Sequence, residues 1–166
     1  MSDPRALKAA WQADPSKALY TYRVSATGAA APSHATATSK SHQGSWTVTI
    51  NELIGGNGTD STPGDLLLGA LAACQVLAIR ATARAMGVSL EQLEVEVEGD
   101  VDHRGVMQFD PSVRAGFSAI RVQVRASAPG VPREKLAKLV AAAERSCAAT
   151  DALRNPTSLT VELVDT

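Results

Sequence analysis

Aromatic residues make up only 4% of this 166-residue chain, too few for a platform on which single-stranded nucleic acid could stack base by base. Neither sign of charge is in excess. With a formal net charge of −1, the chain offers no basic field to a nucleic-acid backbone or a membrane surface, and neither partner is expected. The three histidines, His34, His42 and His103, are scattered and stand at no metal-ligand spacing from one another or from the cysteines. No zinc site is expected, no cofactor is called for, and each histidine reads as a surface or strand residue. The Gly55-Gly56-Asn57-Gly58 loop lacks the Lys-Ser/Thr pair of a phosphate cradle. There is no Gly-x-Ser-x-Gly elbow and no carboxylate pair placed for glycoside chemistry. The stretch Met1-Ser2-Asp3-Pro4-Arg5 has no apolar h-region, so a cytoplasmic protein is expected. In that reducing compartment a permanent disulfide is not expected, and a transient or catalytic one is the alternative.

Cysteine is scarce as well, and its two occurrences are the most informative positions. Cys74 lies in the apolar run from Leu66 to Ile79, shorter than a bilayer crossing requires and typical of a helix buried in a core. Cys147 closes a second apolar stripe. A buried thiol is either an inert small hydrophobe or a reactive group kept dry, and residue type alone favours the inert reading. The two are too far apart in sequence for a local redox CxxC.

The patterning predicts one α+β domain over residues 1–166, with residues 1–17 as a helical N-terminal extension. Residues 4–13 read as a short amphipathic helix, Leu7 and Trp11 sharing one side. Tyr20, Tyr22 and Val24 alternate with polar neighbours, a loop follows around Gly28 to Ser33, and His34–Ser39 and Trp46–Ile50 are extended, together a β-meander. After a polar loop from Glu52 to Ser61, Thr62-Pro63-Gly64-Asp65 supplies an N-cap, a proline at N1 and a carboxylate at N3. The helix it opens runs to about Met86 and stops at Gly87. It is apolar around nearly its whole circumference until Arg80, so the sheet or another subunit must wrap it. Leu93, Val95 and Val97 alternate with glutamates, and Ile120, Val122 and Val124 are flanked by Arg121 and Arg125, which predicts neighbouring strands. The long connection from Asp100 to Gly116 is a candidate flap. Pro132 opens a second helix whose stripe is Leu136, Leu139, Val140, Ala143 and Cys147. A turn over Asp151–Pro156 and a closing strand through Leu159, Val161 and Leu163 complete the order β-β-β-α-β-β-α-β.

Gly55-Gly56, then Pro63-Gly64-Asp65-Leu66-Leu67-Leu68-Gly69-Ala70-Leu71-Ala72-Ala73-Cys74, resembles the core helix of the OsmC/Ohr family of osmotically inducible and organic hydroperoxide resistance proteins. Cys147-Ala148-Ala149-Thr150-Asp151 through Asn155-Pro156 is similar to that family's second-cysteine segment, and the likeness covers about residues 18–165. The resemblance implies antiparallel sheets wrapped around a long central helix in an intertwined homodimer, with active sites at the interface. It also implies a thiol peroxidase acting in oxidative-stress defence. Cys74 would attack an organic hydroperoxide and become a sulfenic acid, Cys147 would resolve it as a disulfide, and a dithiol or lipoylated partner would reduce the pair.

The chain departs from the family in its supporting residues. Peroxidase members carry a glutamate directly after the helix-opening proline; here Gly64 stands there and Asp65 follows. In an ideal helix Asp65 lies about 13 Å from Cys74 on the opposite face, so capping is its first role and support of the site its second. Where the family has an early-strand arginine, this chain reads Ser39-Lys40-Ser41-His42. Lys40 is the candidate cation, with Arg23, Arg104 and Arg114 as further choices. The alternative to a peroxidase is a family member that binds a small apolar ligand at the dimer interface, with both cysteines as core residues.

Overall fold

The computed structural model describes residues 4–28, 33–155 and 157–165, which divide into two compact units, Met1–Asp60 and Ser61–Thr166. The first contains helix α1 (Pro4–Ala13), a 3-10 turn (Pro15–Ala18) and strands β1 (Val24–Gly28), β2 (His34–Ser39) and β3 (Ser45–Thr49). The three strands form the expected antiparallel meander in the order β1-β2-β3, with Ala26 opposite Ala37 and Thr36 opposite Thr47. The sheet starts later than the alternation of Tyr20 and Tyr22 predicts. β2 ends at Ser39, the partner of Val24, so residues 20–23 have no strand beside them among the described residues. Tyr20 instead packs edge-on against Tyr22, ring centroids 4.8 Å apart. Of the predicted loop from Gly28 to Ser33, residues 29–32 lie outside the described residues.

The second unit is organised by helix α2 (Pro63–Ala85). Both of its ends follow from sequence. Thr62 is the N-cap, Pro63 opens the first turn, and Gly87 terminates the helix at φ 64°, a left-handed conformation that costs glycine little. With 23 residues it is longer than the apolar run inside it, and it is long and apolar enough to span a membrane by length and composition alone. One side of it instead packs on strand β4 (Gln92–Asp100) and helices α4 (Arg133–Glu144) and α5 (Ala148–Arg154). Strand β5 (Ala119–Ser127) pairs antiparallel with β4, Val95 facing Val124 and Val97 facing Val122. On the other face of this ribbon Glu94 lies opposite Arg125 and Glu98 opposite Arg121, the cross-strand charge pairing expected. The core gathers Leu71, Ala78, Ile79, Ala83, Val88, Leu139, Ala143 and Cys147.

Three expectations are corrected in this unit. Cys147 faces inward as predicted but is not on the second helix: α4 ends at Glu144, and Ser146 turns the chain by donating its N–H to the Ala143 carbonyl at 2.9 Å. The segment read as a turn, Asp151–Pro156, is mostly helix, because Ala148 to Arg154 are largely good helix formers and the break comes only at Asn155 before the proline. Residues 157–165 carry the predicted alternation but have no strand partner among the described residues, and Val161 is 91% exposed. The connection from β4 to β5 holds a short helix, α3 (His103–Val106). It is folded tightly on itself: any Cβ at Gly105 would collide with the Arg114 carbonyl.

Candidate functional site

The structure brings the two cysteines together. Cys74 sits midway along α2, between Leu71 and Ala78 on the side that packs into the core, and is half-buried. The turn after α4 delivers Cys147 to the N-cap of α5, where it is 1% exposed. Both are free thiols, and Cys74 packs against the buried cluster that contains Cys147. Their environments separate their acidities. Burial pushes the Cys74 thiol above its ordinary value, helped by the Cys147 sulfur and only partly opposed by the N–H groups of Ala149 and Ala148. Burial acts on Cys147 in the same direction but is outweighed there. The hydroxyl and N–H of Thr150, the Cys74 thiol and the Ala149 N–H together hold Cys147 below its ordinary value.

The remaining candidates behave differently. Asp65 is spent on the cap. Its carboxylate accepts from the Thr62 N–H at 2.7 Å and the Thr62 hydroxyl at 2.8 Å, and its own N–H donates to the Thr62 oxygen at 3.2 Å. Those bonds from Thr62, backbone first, hold it below the usual carboxylate range. Lys40 belongs to the first unit, exposed in the turn after β2, where its N–H donates to the Arg23 carbonyl at 2.8 Å. Arg104 is already committed. It grips Asp102 through Nε and through Nη2, the latter at 2.6 Å, and lies 3.8 Å from Asp110. Arg114 has no carboxylate partner among the described residues and lines a cleft of about 640 Å³.

That cleft is lined by Leu67, Leu71 and Phe117 together with Gln75 and Thr150. Inside the protein Gln75 Nε2 donates to Thr150 Oγ1 at 2.7 Å. Sequence reasoning passed over both residues. Their signal was present: Gln75 is the one polar side chain in an otherwise apolar stretch from Leu66 to Ile79, and Thr150 stands three places after Cys147, where an N-cap side chain finds its partner.

The sequence profile of the OsmC-like protein family matches residues 56–162, a span that includes both cysteines, Gln75 and Thr150. Solved structures agree in fold. An OsmC-like protein from Mycoplasma pneumoniae superposes with a TM-score of 0.68 at 19% identity, covering 82% of this chain and 89% of its own. An organic hydroperoxide resistance protein OsmC from Legionella pneumophila gives 0.63 at 25% identity, covering 82% and 90%. An organic hydroperoxide resistance protein from Elizabethkingia anophelis gives 0.64 at 22%, covering 83% and 91%. No curated protein matches the chain in sequence.

Proposed function

Because the chain belongs to the OsmC-like protein family, we propose that it is a thiol-dependent peroxidase that reduces organic hydroperoxides in oxidative-stress defence. The observation that carries this reading is the packing of Cys74 against the buried cluster that holds Cys147, which brings together two free thiols from distant parts of the chain. The Cys74 thiolate attacks one peroxide oxygen, the O–O bond breaks, and the departing alkoxide takes up a proton as an alcohol. The sulfenic acid left on Cys74 is then attacked by Cys147. Its S–O bond breaks, hydroxide leaves and is protonated to water, and a disulfide joins the two. A dithiol or lipoylated reductant restores both thiols by two exchanges. The dry, apolar setting of Cys74 suits substrates with alkyl tails, and because burial holds its thiol above the ordinary pKa, a cation is needed to assist the first step. Lys40, Arg23 and Arg114 are the candidates for that role, and Asp65 supports the site by fixing the start of α2.

The working unit of this reading is a cytoplasmic homodimer in which residues 1–166 act as one OsmC-like domain. In its support, Leu77 on α2 is 68% exposed, and Leu159, Val161 and Leu163 lie open along residues 157–165. Apolar surface of this extent needs cover. Sedimentation at micromolar concentration should give a dimer, and a stable folded monomer would overturn the architecture.

A second reading rests on the pushed-up Cys74 thiol: a family member that binds a small apolar ligand and does no redox chemistry. Consumption of cumene hydroperoxide with dihydrolipoamide as reductant separates the two. Turnover is expected, with none in Cys74→Ser, and one equivalent of peroxide per subunit should leave an intramolecular disulfide. Absence of turnover in the wild-type protein would replace the peroxidase by the binding protein. Sulfinic acid at Cys74 beside an alkylatable Cys147 would make Cys147 structural.

A further inference from the structure

We propose that residues 157–165 of a second copy of this chain add as an antiparallel strand to the open edge of β5, seating Leu159, Val161 and Leu163 in the cleft of about 640 Å³. This pairing rests on the homodimer reading and names the surfaces that meet in the dimer. Each chain carries two incomplete halves. β5 pairs with β4 and has no other strand beside it among the described residues, so one of its edges stands without a ladder. Its apolar side chains Ile120, Val122 and Val124 line the cleft, where Val122 is 39% exposed. Residues 157–165 have the period of a strand and no strand partner among the described residues, and Leu159 and Val161 stand 86% and 91% exposed. An apolar strand and an open apolar edge that stay apart within one chain are both covered when two copies exchange them.

Side-chain chemistry selects the register. Directly opposed residues of neighbouring strands point to the same face, so the apolar positions of the segment must stand opposite those of β5, and a slip of one residue would turn them all to the charged side. An antiparallel pairing with Leu159 opposite Val124, Val161 opposite Val122 and Leu163 opposite Ile120 meets this condition. On the other face it sets Thr160 opposite Gln123 and Glu162 opposite Arg121, which holds Glu98 and Asp100 from its β4 side. The charged residues of the segment, Glu162 and Asp165, are both acidic. Asp165 comes opposite Ser118, which lines the cleft together with Arg114, and Arg114 has no carboxylate partner among the described residues. A parallel pairing keeps three apolar pairs but sets Glu162 against Gln123 and carries Asp165 to Ala126, at the far end of β5 from Arg114. The antiparallel arrangement is the one that serves both carboxylates.

Sedimentation equilibrium and amide hydrogen exchange on the full chain test the pairing. Val161→Asp and Leu163→Asp alter side chains that are exposed in the single chain, so both variants should fold, as circular dichroism would verify. Each should raise the dimer dissociation constant at least about tenfold, and Glu162→Arg should raise it about threefold. In the wild-type dimer the N–H groups on the open edge of β5, every second residue, should exchange more slowly than in Val161→Asp. A dimer untouched by Val161→Asp and Leu163→Asp, or one whose β5 edge exchanges as fast as in those variants, would overturn the pairing and leave the homodimer standing. No weakening in Glu162→Arg would overturn the antiparallel register. Slow exchange that survives dilution to monomer would mean that the segment covers β5 of its own chain, and the second copy would fall as the occupant. A stable folded monomer at micromolar concentration would end the homodimer reading itself.

Discussion

At the start of α2, Thr62 and Asp65 occupy the N-cap and N3 positions and exchange three hydrogen bonds at the surface. At the start of α5, Cys147 and Thr150 occupy the same two positions in the interior, and Thr150 is held from outside its helix by Gln75. The local grammar is shared and the outcome differs. The first cap is closed: the carboxylate has given its lone pairs to its own turn, and the helix begins there because of it. The second is open to its surroundings, since a sulfur replaces the oxygen and accepts hydrogen bonds weakly. What it contributes is a buried thiol that makes no side-chain hydrogen bond to the helix it opens. The acid close in sequence to the expected catalytic position is engaged in its own helix cap, and Thr150 is engaged by a glutamine of another helix.

The largest effect that tests this contrast is on packing. Leu139 is fully buried in the cluster that contains Cys147, so Leu139→Ala should cost about 2–5 kcal/mol, the lost transfer energy plus a cavity. Urea unfolding measures it. If the two caps are independent, Cys147 alkylation should quicken as the cluster loosens, while the acid-side behaviour of Asp65 stays as in the wild-type protein. A loss below about 1 kcal/mol would mean that the interior around α5 is not the packed environment the contrast assumes.

Most of this contrast was legible in advance on one side only. The α2 cap could be read because Thr62, Pro63 and Asp65 are contiguous and each has a fixed meaning at its position. The pairing of β4 with β5 was legible for the same reason: Glu94 and Arg125, Glu98 and Arg121 carry their partner preferences in their charge. Cys147 was misplaced onto α4 because its apolar spacing continues the helical period through a break that is made by a single backbone turn at Ser146. The bond from Gln75 to Thr150 joins residues 75 positions apart, and no local pattern encodes such a contact. Tyr20 and Tyr22 alternate like a strand, yet strand structure needs a neighbour, and β2 had already ended.

A smaller effect should follow from opening the surface cap. Thr62→Ala removes the N-cap oxygen and should cost roughly 0.5–2 kcal/mol, seen as a lower urea midpoint. Its pH dependence is more telling. Asp65 is held below its ordinary value in the folded protein by Thr62, so its contribution to stability is present above the unfolded pKa, near 3.9, and is lost as pH falls through the folded value. Wild-type stability should therefore decline in that acid window, and Thr62→Ala should show a shallower decline there. The pH profile of Cys74 alkylation should not move. If it does, Asp65 acts on the thiol after all, and the distinction between a structural and a chemical cap fails.

The smallest effect concerns a third cap. Asp102 is the N-cap of α3; its carboxylate accepts from the Arg104 N–H at 3.0 Å and from the Arg104 guanidinium, which brings it down to about 2. Like Thr62 with Asp65, this pair is closed on itself, and a cation so engaged has no capacity left to assist a thiol elsewhere. Arg104→Gln should let the Asp102 carboxyl, followed by NMR titration, rise toward the usual carboxylate range, and should leave the rate and pH midpoint of Cys74 alkylation unchanged. Lys40→Met, Arg23→Gln and Arg114→Gln supply the contrast, because the cation that assists Cys74 should slow its alkylation when removed. Slowing in Arg104→Gln, with the other three silent, would mean that the segment between β4 and β5 opens in solution and releases its arginine to the thiol, and the rule that self-closed caps stay out of the chemistry would no longer hold.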